Sequence, residues 1–279
     1  LVKDLIDHAG ISEQGPVRKR NEDYIGHGPA DGTAPGHHKG NLFIVCDGVG
    51  GSGAGDVASK AVTETVIERY YAAKKRPEKA LLDAISMANL HVYDISMKAD
   101  RLRMETTIAA LAIVGHKAVI ANIGDTRAYR IRNNSEIELL STDHSEVAEM
   151  VKMRILTPEN ARHHPRRHII TRSMGSNPMI APAVRIEPIH SGDTFVLCTD
   201  GLWEPVNDEE IADIATSMSP REACQALIDL GIKRGTNDNV SVQVVTVNAI
   251  DHETAKHHPV ELTLLAKIAA IFGGSGGKK

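Results

Sequence analysis

Three cysteines in 279 residues are too few, and odd in number, for a disulfide-stapled secreted scaffold. Two of them, Cys46 and Cys198, lie in apolar, strand-like runs, where a small buried side chain is the expected role. No apolar run approaches the roughly 20 residues that span a bilayer as a helix. An excess of charge is also missing. The 32 Lys and Arg against 36 Asp and Glu leave a net −4, which gives no reason to expect a nucleic-acid partner. There is no G-x-x-x-x-G-K-[ST] phosphate loop. The one G-x-S-x-G string, Gly273 to Gly277, lies in a Gly-rich end with no strand before it. The opening "LVKDLIDHAG" carries acids where a signal peptide is basic and then apolar. These absences, with 42% apolar and 24% charged residues, set the expectation of an ordinary soluble protein of the cytoplasm without a transmembrane segment.

What is present reads as one domain over residues 8–248 and a compositionally distinct tail over 249–279. Residues 41–47 form a buried-strand candidate, and 55–75 and 78–98 carry helical spacing. Four β-like runs follow at 106–114, 118–124, 127–133 and 136–140, joined by "GHK", "DT" and "NS". Links this short cannot carry a parallel crossover, so the neighbours are expected to pair antiparallel. Residues 144–180 are polar and irregular, with one short helix candidate. A strand at 193–200, helices at 208–217 and 220–234 and a closing strand at 239–247 complete an α+β sandwich of sheets covered by helices. In the tail, 260–272 has the pattern of an amphipathic helix, to dock on the domain or a partner, to touch a membrane surface or to stay disordered, and "GGSGGKK" is linker material.

The stretch "IVCDGVGGSGAG" contains a G-x-G-x-x-G, the outline of a dinucleotide-binding turn. Two features oppose that reading: Asp47 opens the loop with a charge that repels a pyrophosphate, and the antiparallel meander lacks the crossovers of a nucleotide-binding sheet. Acids close strands elsewhere too. Asp125 follows "VIANIG", Asp200 follows "FVLCT", and Asp238 precedes "NVSVQVV", while Glu22-Asp23 precedes another β-like run. One such Asp is a turn residue by default. Several at one sheet end would repel one another unless a cation intervened. Oxygen donors with no accompanying Cys or His cluster favour Mg²⁺ or Mn²⁺ over Zn²⁺.

With these residues on the page the chain resembles the protein phosphatase 2C family, the metal-dependent serine/threonine phosphatases, in its bacterial stand-alone form. The resemblance rests on "GPVRKRNEDY", "FIVCDGVGGSGAGDVAS", "ETTIAAL", "ANIGDTRAYRI", "TDHSEVAEMV", "FVLCTDGLWEPVNDEEI" and "TNDNVSVQVV", in family order across residues 15–247. It implies a four-layer αββα sandwich with two Mn²⁺ or Mg²⁺ ions at one end of the central sheets. Asp47 would bridge both ions; the Gly48 carbonyl would hold the second, with Glu22 nearby; Asp200 and Asp238 would complete the first. Asp125 with Asp200 matches a third, weaker site. Arg18 matches the arginine that grips the phosphate, and without the motif it reads as a solvated residue of a basic run. Asp23 and Asn239 would support the ligands from behind.

The resemblance further implies direct hydrolysis of phosphoserine and phosphothreonine in proteins by a water activated between two ions, in opposition to a serine/threonine kinase. The cysteines show no C-x₅-R signature of the alternative, covalent phosphatase chemistry. A relative that binds phosphoproteins without turnover is the competing reading, and intact Asp47, Asp200 and Asp238 favour the enzyme. The sequence departs from the pattern at Val49, where some members carry a proton-donating histidine, and at Glu105, where a glycine is usual. Residues 144–180 correspond to the flap beside the cleft; its His163, His164, Arg166, Arg167 and His168 either meet a phosphopeptide or form a solvated loop.

Overall fold

β4 (Ile108–Val114) reads IAALAIV and is buried along its whole length, because each of its faces packs against a different layer. Ala110 and Ala112 meet the cluster under α1 (Gly55–Ala72) and α2 (Pro77–Lys98), while Leu111 and Ile113 meet the opposite sheet. That double cover is why the run shows no polar alternation. A computed structural model describes residues 5–29, 39–49, 53–98 and 103–250.

One sheet, in the order β2 (Tyr24–Gly28), β3 (Asn41–Cys46), β4, β5 (Lys117–Ile123) and β8 (Ala183–Pro188), carries α1 and α2 on its outer face. The other runs β1 (Ile6–Glu13), β10 (Val240–Val247), β9 (Thr194–Cys198), β6 (Arg127–Arg132) and β7 (Glu136–Leu139). It is covered by α5 (Asp200–Trp203), α6 (Asp208–Ser217) and α7 (Pro220–Lys233). Phe43, Val45, Leu111, Ile120, Phe195, Leu197 and Val245 fill the space between the sheets. The layers are therefore helix, sheet, sheet, helix, as expected, and every strand pair is antiparallel. Capping boxes at Asn207/Glu210 and Ser219/Glu222 start α6 and α7.

The expected pairing fails at one link. β4–β5 and β6–β7 are hairpins, but β5 and β6 belong to different sheets. Two residues suffice there because the chain does not reverse; it steps from one sheet to the other. Gly124 makes the step at φ +97°, where a Cβ would lie 2.5 Å from Thr107 Cγ2. Asp125 thus stands at the gap between the sheets.

Two strands are added to the sequence reading. β1 is a half-buried edge with weak alternation. β8 has an inverted pattern: Val184 and Ile186 face outward while Arg185 and Glu187 join Arg130 and Glu138 in a charged network. Inward charges of this kind blunt a sheet edge. Polar residues 144–180 hold α3 (Glu146–Lys152) and a second short helix, α4 (Pro158–Arg162). Asn248 and Ala249 donate to the Leu5 carbonyl. The amphipathic pattern at 260–272 and the Gly-rich end lie outside the described residues. No described helix is long and apolar enough to cross a membrane.

Candidate active site

Asp47, Asp125, Asp200 and Asp238, far apart in sequence, line one cavity of about 960 Å³ together with Arg18, Gly48 and Val49. Each reaches it through a backbone fixed by its neighbours. Just past β3, the Asp47 amide donates to Thr107 Oγ1 at 3.1 Å, and its carbonyl accepts from Thr107 N at 2.8 Å and Thr106 Oγ1 at 2.7 Å. With its backbone so held, the Asp47 side chain is left to face the cavity. Asp200 is the first residue of α5, next to Thr199, whose hydroxyl accepts from the Ser241 amide at 3.0 Å. The Asp125 carbonyl accepts from Trp203 Nε1 at 3.1 Å. The Trp203 ring lies 3.6 Å from the Arg127 guanidinium, which donates through Nε and Nη2 to Asp143 at 3.1 and 2.7 Å. Asp238 precedes β10 and accepts from Arg18 Nη2 at 2.5 Å.

The residues read as supporting are placed behind this wall. Asn239 accepts from the Glu22 amide at 2.9 Å and donates to the carbonyls of Gln14 and Arg20 at 2.7 and 2.9 Å. It thereby ties the loop that carries Arg18 and Glu22 to β10. The Glu22 carbonyl in turn accepts from Gly48 N at 3.1 Å and Ser59 Oγ at 2.6 Å. A Cβ on Gly48 would lie 2.5 Å from the Gly55 backbone and 2.6 Å from the Glu22 carbonyl, so only glycine lets these segments meet. The Glu22 carboxylate lies against Gly55, at the start of α1. Buried Asp23 accepts from Ser241 Oγ at 2.6 Å and Thr199 Oγ1 at 2.9 Å.

Burial first, and then repulsion between neighbouring acids, shifts Asp47 and Asp200. Asp47 and Asp200 stand well above the ordinary range; besides desolvation, Asp47 feels Asp23, Asp200, Asp125 and Asp238, and Asp200 feels Asp125, Asp238 and Glu204. Asp23 and Asp125 are each pushed up to about 7, chiefly by burial. Asp200 Oδ1 is shut off from solvent with no hydrogen-bond donor. A set of desolvated oxygen donors that repel one another, one of them without a donor, is chemically matched to divalent cations.

Several contributing residues carried no clear sequence signal. Thr106, Thr107, Thr199 and Ser241 act through single hydroxyls and look like ordinary strand-end residues. Trp203, the sole tryptophan, was the one available hint. Glu105 is buried, with Arg103 Nε on one oxygen at 3.0 Å and Ser173 Oγ on the other at 2.7 Å, so it fastens the approach to β4 to the far end of the flap. Of the flap residues, His163, Arg167 and His168 line the cavity. Arg166 instead pairs with Glu146, and His164 Nδ1 accepts from the Arg166 amide. One histidine does approach the acids: His168 Nδ1 lies 3.0 Å from Glu204 Oε1, one helical turn from Asp200.

A family model described as protein phosphatase 2C matches residues 20–230. The protein phosphatase PhpP of Streptococcus pneumoniae is 32% identical over 250 residues, 87% of this chain and 98% of that one. Among solved structures, the serine/threonine phosphatase Stp1 from Staphylococcus aureus is 31% identical with a TM-score of 0.79, over 87% of this chain and 95% of that one. The catalytic domain of the serine/threonine protein phosphatase PstP, in complex with two manganese ions, is 28% identical with a TM-score of 0.74, over 88% and 99%.

Proposed function

Because the chain belongs to the protein phosphatase 2C family, we propose that it hydrolyses phosphoserine and phosphothreonine in proteins at the cavity of Asp47, Asp200 and Asp238. The observation that carries this reading is the convergence of half-buried Asp47 and Asp200, which repel one another, on one open cavity with Asp238 and an arginine. Asp47, the Gly48 carbonyl, Asp200, Asp238 and Glu22 would hold two divalent ions, and Asp125 with Asp200 a third. Mn²⁺ is the favoured ion, since a structural relative binds two manganese ions, and Mg²⁺ suits the same oxygen donors. When bound, such ions lower the pKa of a coordinated water and neutralise charge on the phosphoryl oxygens.

The protein's own groups supply orientation. Arg18, at the cavity mouth, keeps its charge at any working pH, and its pairing with Asp238 raises its pKa further. It is placed to exchange Asp238 for phosphoryl oxygens and to hold a phosphate by charge-assisted hydrogen bonds. Val49 also lines the cavity, and its side chain carries no proton to give, so the leaving group draws its proton from elsewhere. His163 and Arg167 at the rim suit the backbone and acidic flanks of a phosphopeptide, and the opposing partner would be a serine/threonine kinase. The test is turnover of a phosphothreonine peptide by chelator-stripped protein. The expected result is loss of activity and its return on adding Mn²⁺; activity indifferent to chelation would overturn the proposal.

A further inference from the structure

We propose that the flap residue His168 is the nitrogen ligand of a third divalent-cation site completed by Asp200 and Glu204. The inference rests on the metal-dependent reading above and revises one part of it: the third ion, given there to Asp125 with Asp200, keeps Asp200 and takes His168 and Glu204 as its further ligands.

Helical geometry places the two acids. The Glu204 amide donates to the Asp200 carbonyl at 3.0 Å, so the side chains project from the same face of α5 one turn apart. His168 arrives from the turn after α4. One ligand atom from each of His168, Asp200 and Glu204 lies within 4.8 Å of the other two. Donors about 2.0–2.2 Å from a shared ion lie roughly 3–4 Å apart, so only a small contraction is needed. Asp200 Oδ1 is buried without a hydrogen-bond donor. Glu204 Oε1, also buried, is met by His168 Nδ1 at 3.0 Å and by Arg167 Nε at 3.5 Å. The Asp200 oxygen is therefore open to a cation, and the Glu204 oxygen joins it by exchanging the positive side chains for the ion.

The arrangement also orders the sites. Arg167 brings a positive charge to the same Glu204 oxygen, so this site fills after the ion pair held by Asp47. A mixed nitrogen and oxygen donor set favours Mn²⁺ or Zn²⁺ over Mg²⁺. Its occupant would join the flap to the helix that begins at Asp200. The flap is also tied to the body by Arg162 on Asn207 and Asp208 and by Ser173 on Glu105.

Pulsed electron paramagnetic resonance of the full chain, stripped and titrated with Mn²⁺, reads the nitrogen directly. Every other proposed ligand is an oxygen. The expected result is two ions bound without ¹⁴N coupling, then a weaker third with imidazole ¹⁴N coupling. His168→Ala should abolish that coupling, and both His168→Ala and Glu204→Gln should raise the weakest Kd at least about tenfold. Absence of ¹⁴N coupling at saturation, its persistence in His168→Ala, or an unchanged weakest Kd would overturn the inference. Two oxygen-bound ions without the third would sink this site alone; no bound Mn²⁺ at all would sink the metal-dependent reading with it.

Discussion

Arg18 and Asp238 meet at 2.5 Å with 42% and 32% of their side chains exposed. A pair this open to solvent adds little to stability, at most about 1 kcal/mol. Its value lies in keeping the guanidinium at the cavity mouth, where a phosphate can displace the aspartate. Arg18→Ala is therefore expected to raise KM for a phosphopeptide roughly 10- to 100-fold, the worth of about 1.5–3 kcal/mol of charged hydrogen bonding. Its melting temperature should stay close to the parent's. Arg18→Lys should recover only part of the loss, since an ammonium cannot form the bidentate contact. Steady-state kinetics of the three proteins decides the matter, and an unchanged KM in Arg18→Ala would remove the phosphate role from this residue.

At the scale of elements, the junction that matters most is between β10 and the loop over residues 14–22. Asn239 is buried and makes three hydrogen bonds to that loop's backbone. Asn239→Ala should lower unfolding free energy by about 3 kcal/mol, as three partners lose their bonds. It should also raise KM, because the loop carries Arg18. Urea denaturation showing a loss below about 0.5 kcal/mol, the scale of a neutral surface change, would contradict this. The same scale explains what could be read beforehand. Asp47, Asp125, Asp200 and Asp238 were legible because each sits where an apolar run stops or, at Asp238, starts, beside Gly, Thr or Asn. The passage of the chain between sheets at Gly124 was not, since a two-residue link looks the same whether it closes a hairpin or changes sheets. β8 was hidden by its outward apolar and inward charged residues. Glu204 and His168 were hidden because their proximity depends on how the flap folds back over α5.

For the whole molecule, the acid cluster couples metal, pH and stability. Without ions, burial pushes Asp23 and Asp125 up to about 7, and burial with repulsion pushes Asp47 and Asp200 well above the ordinary range. A carboxyl raised on folding binds more protons in the folded state than in the unfolded one. Its contribution to stability is complete below about pH 4, the unfolded value, and is lost as pH climbs through the folded value. Chelated protein is accordingly expected to melt at progressively lower temperature between about pH 5 and pH 8. Mn²⁺ should raise the melting temperature more at pH 8 than at pH 5, since it binds the ionised carboxylates of the folded state. Scanning calorimetry in chelator that shows a flat or rising profile over this range would contradict the electrostatic account.

The central claim, that Asp47 and its companions assemble a divalent-cation centre on which turnover depends, is tested most directly by calorimetric Mn²⁺ titration of stripped parent and Asp47→Asn proteins, with phosphopeptide turnover measured on the same samples. The account predicts at least two ions per parent chain, loss of that tight binding in Asp47→Asn, and turnover lower by more than the roughly 100-fold that removing an outer-shell partner costs. An Asp47→Asn protein that binds as many ions as the parent and turns over at a similar rate would contradict it.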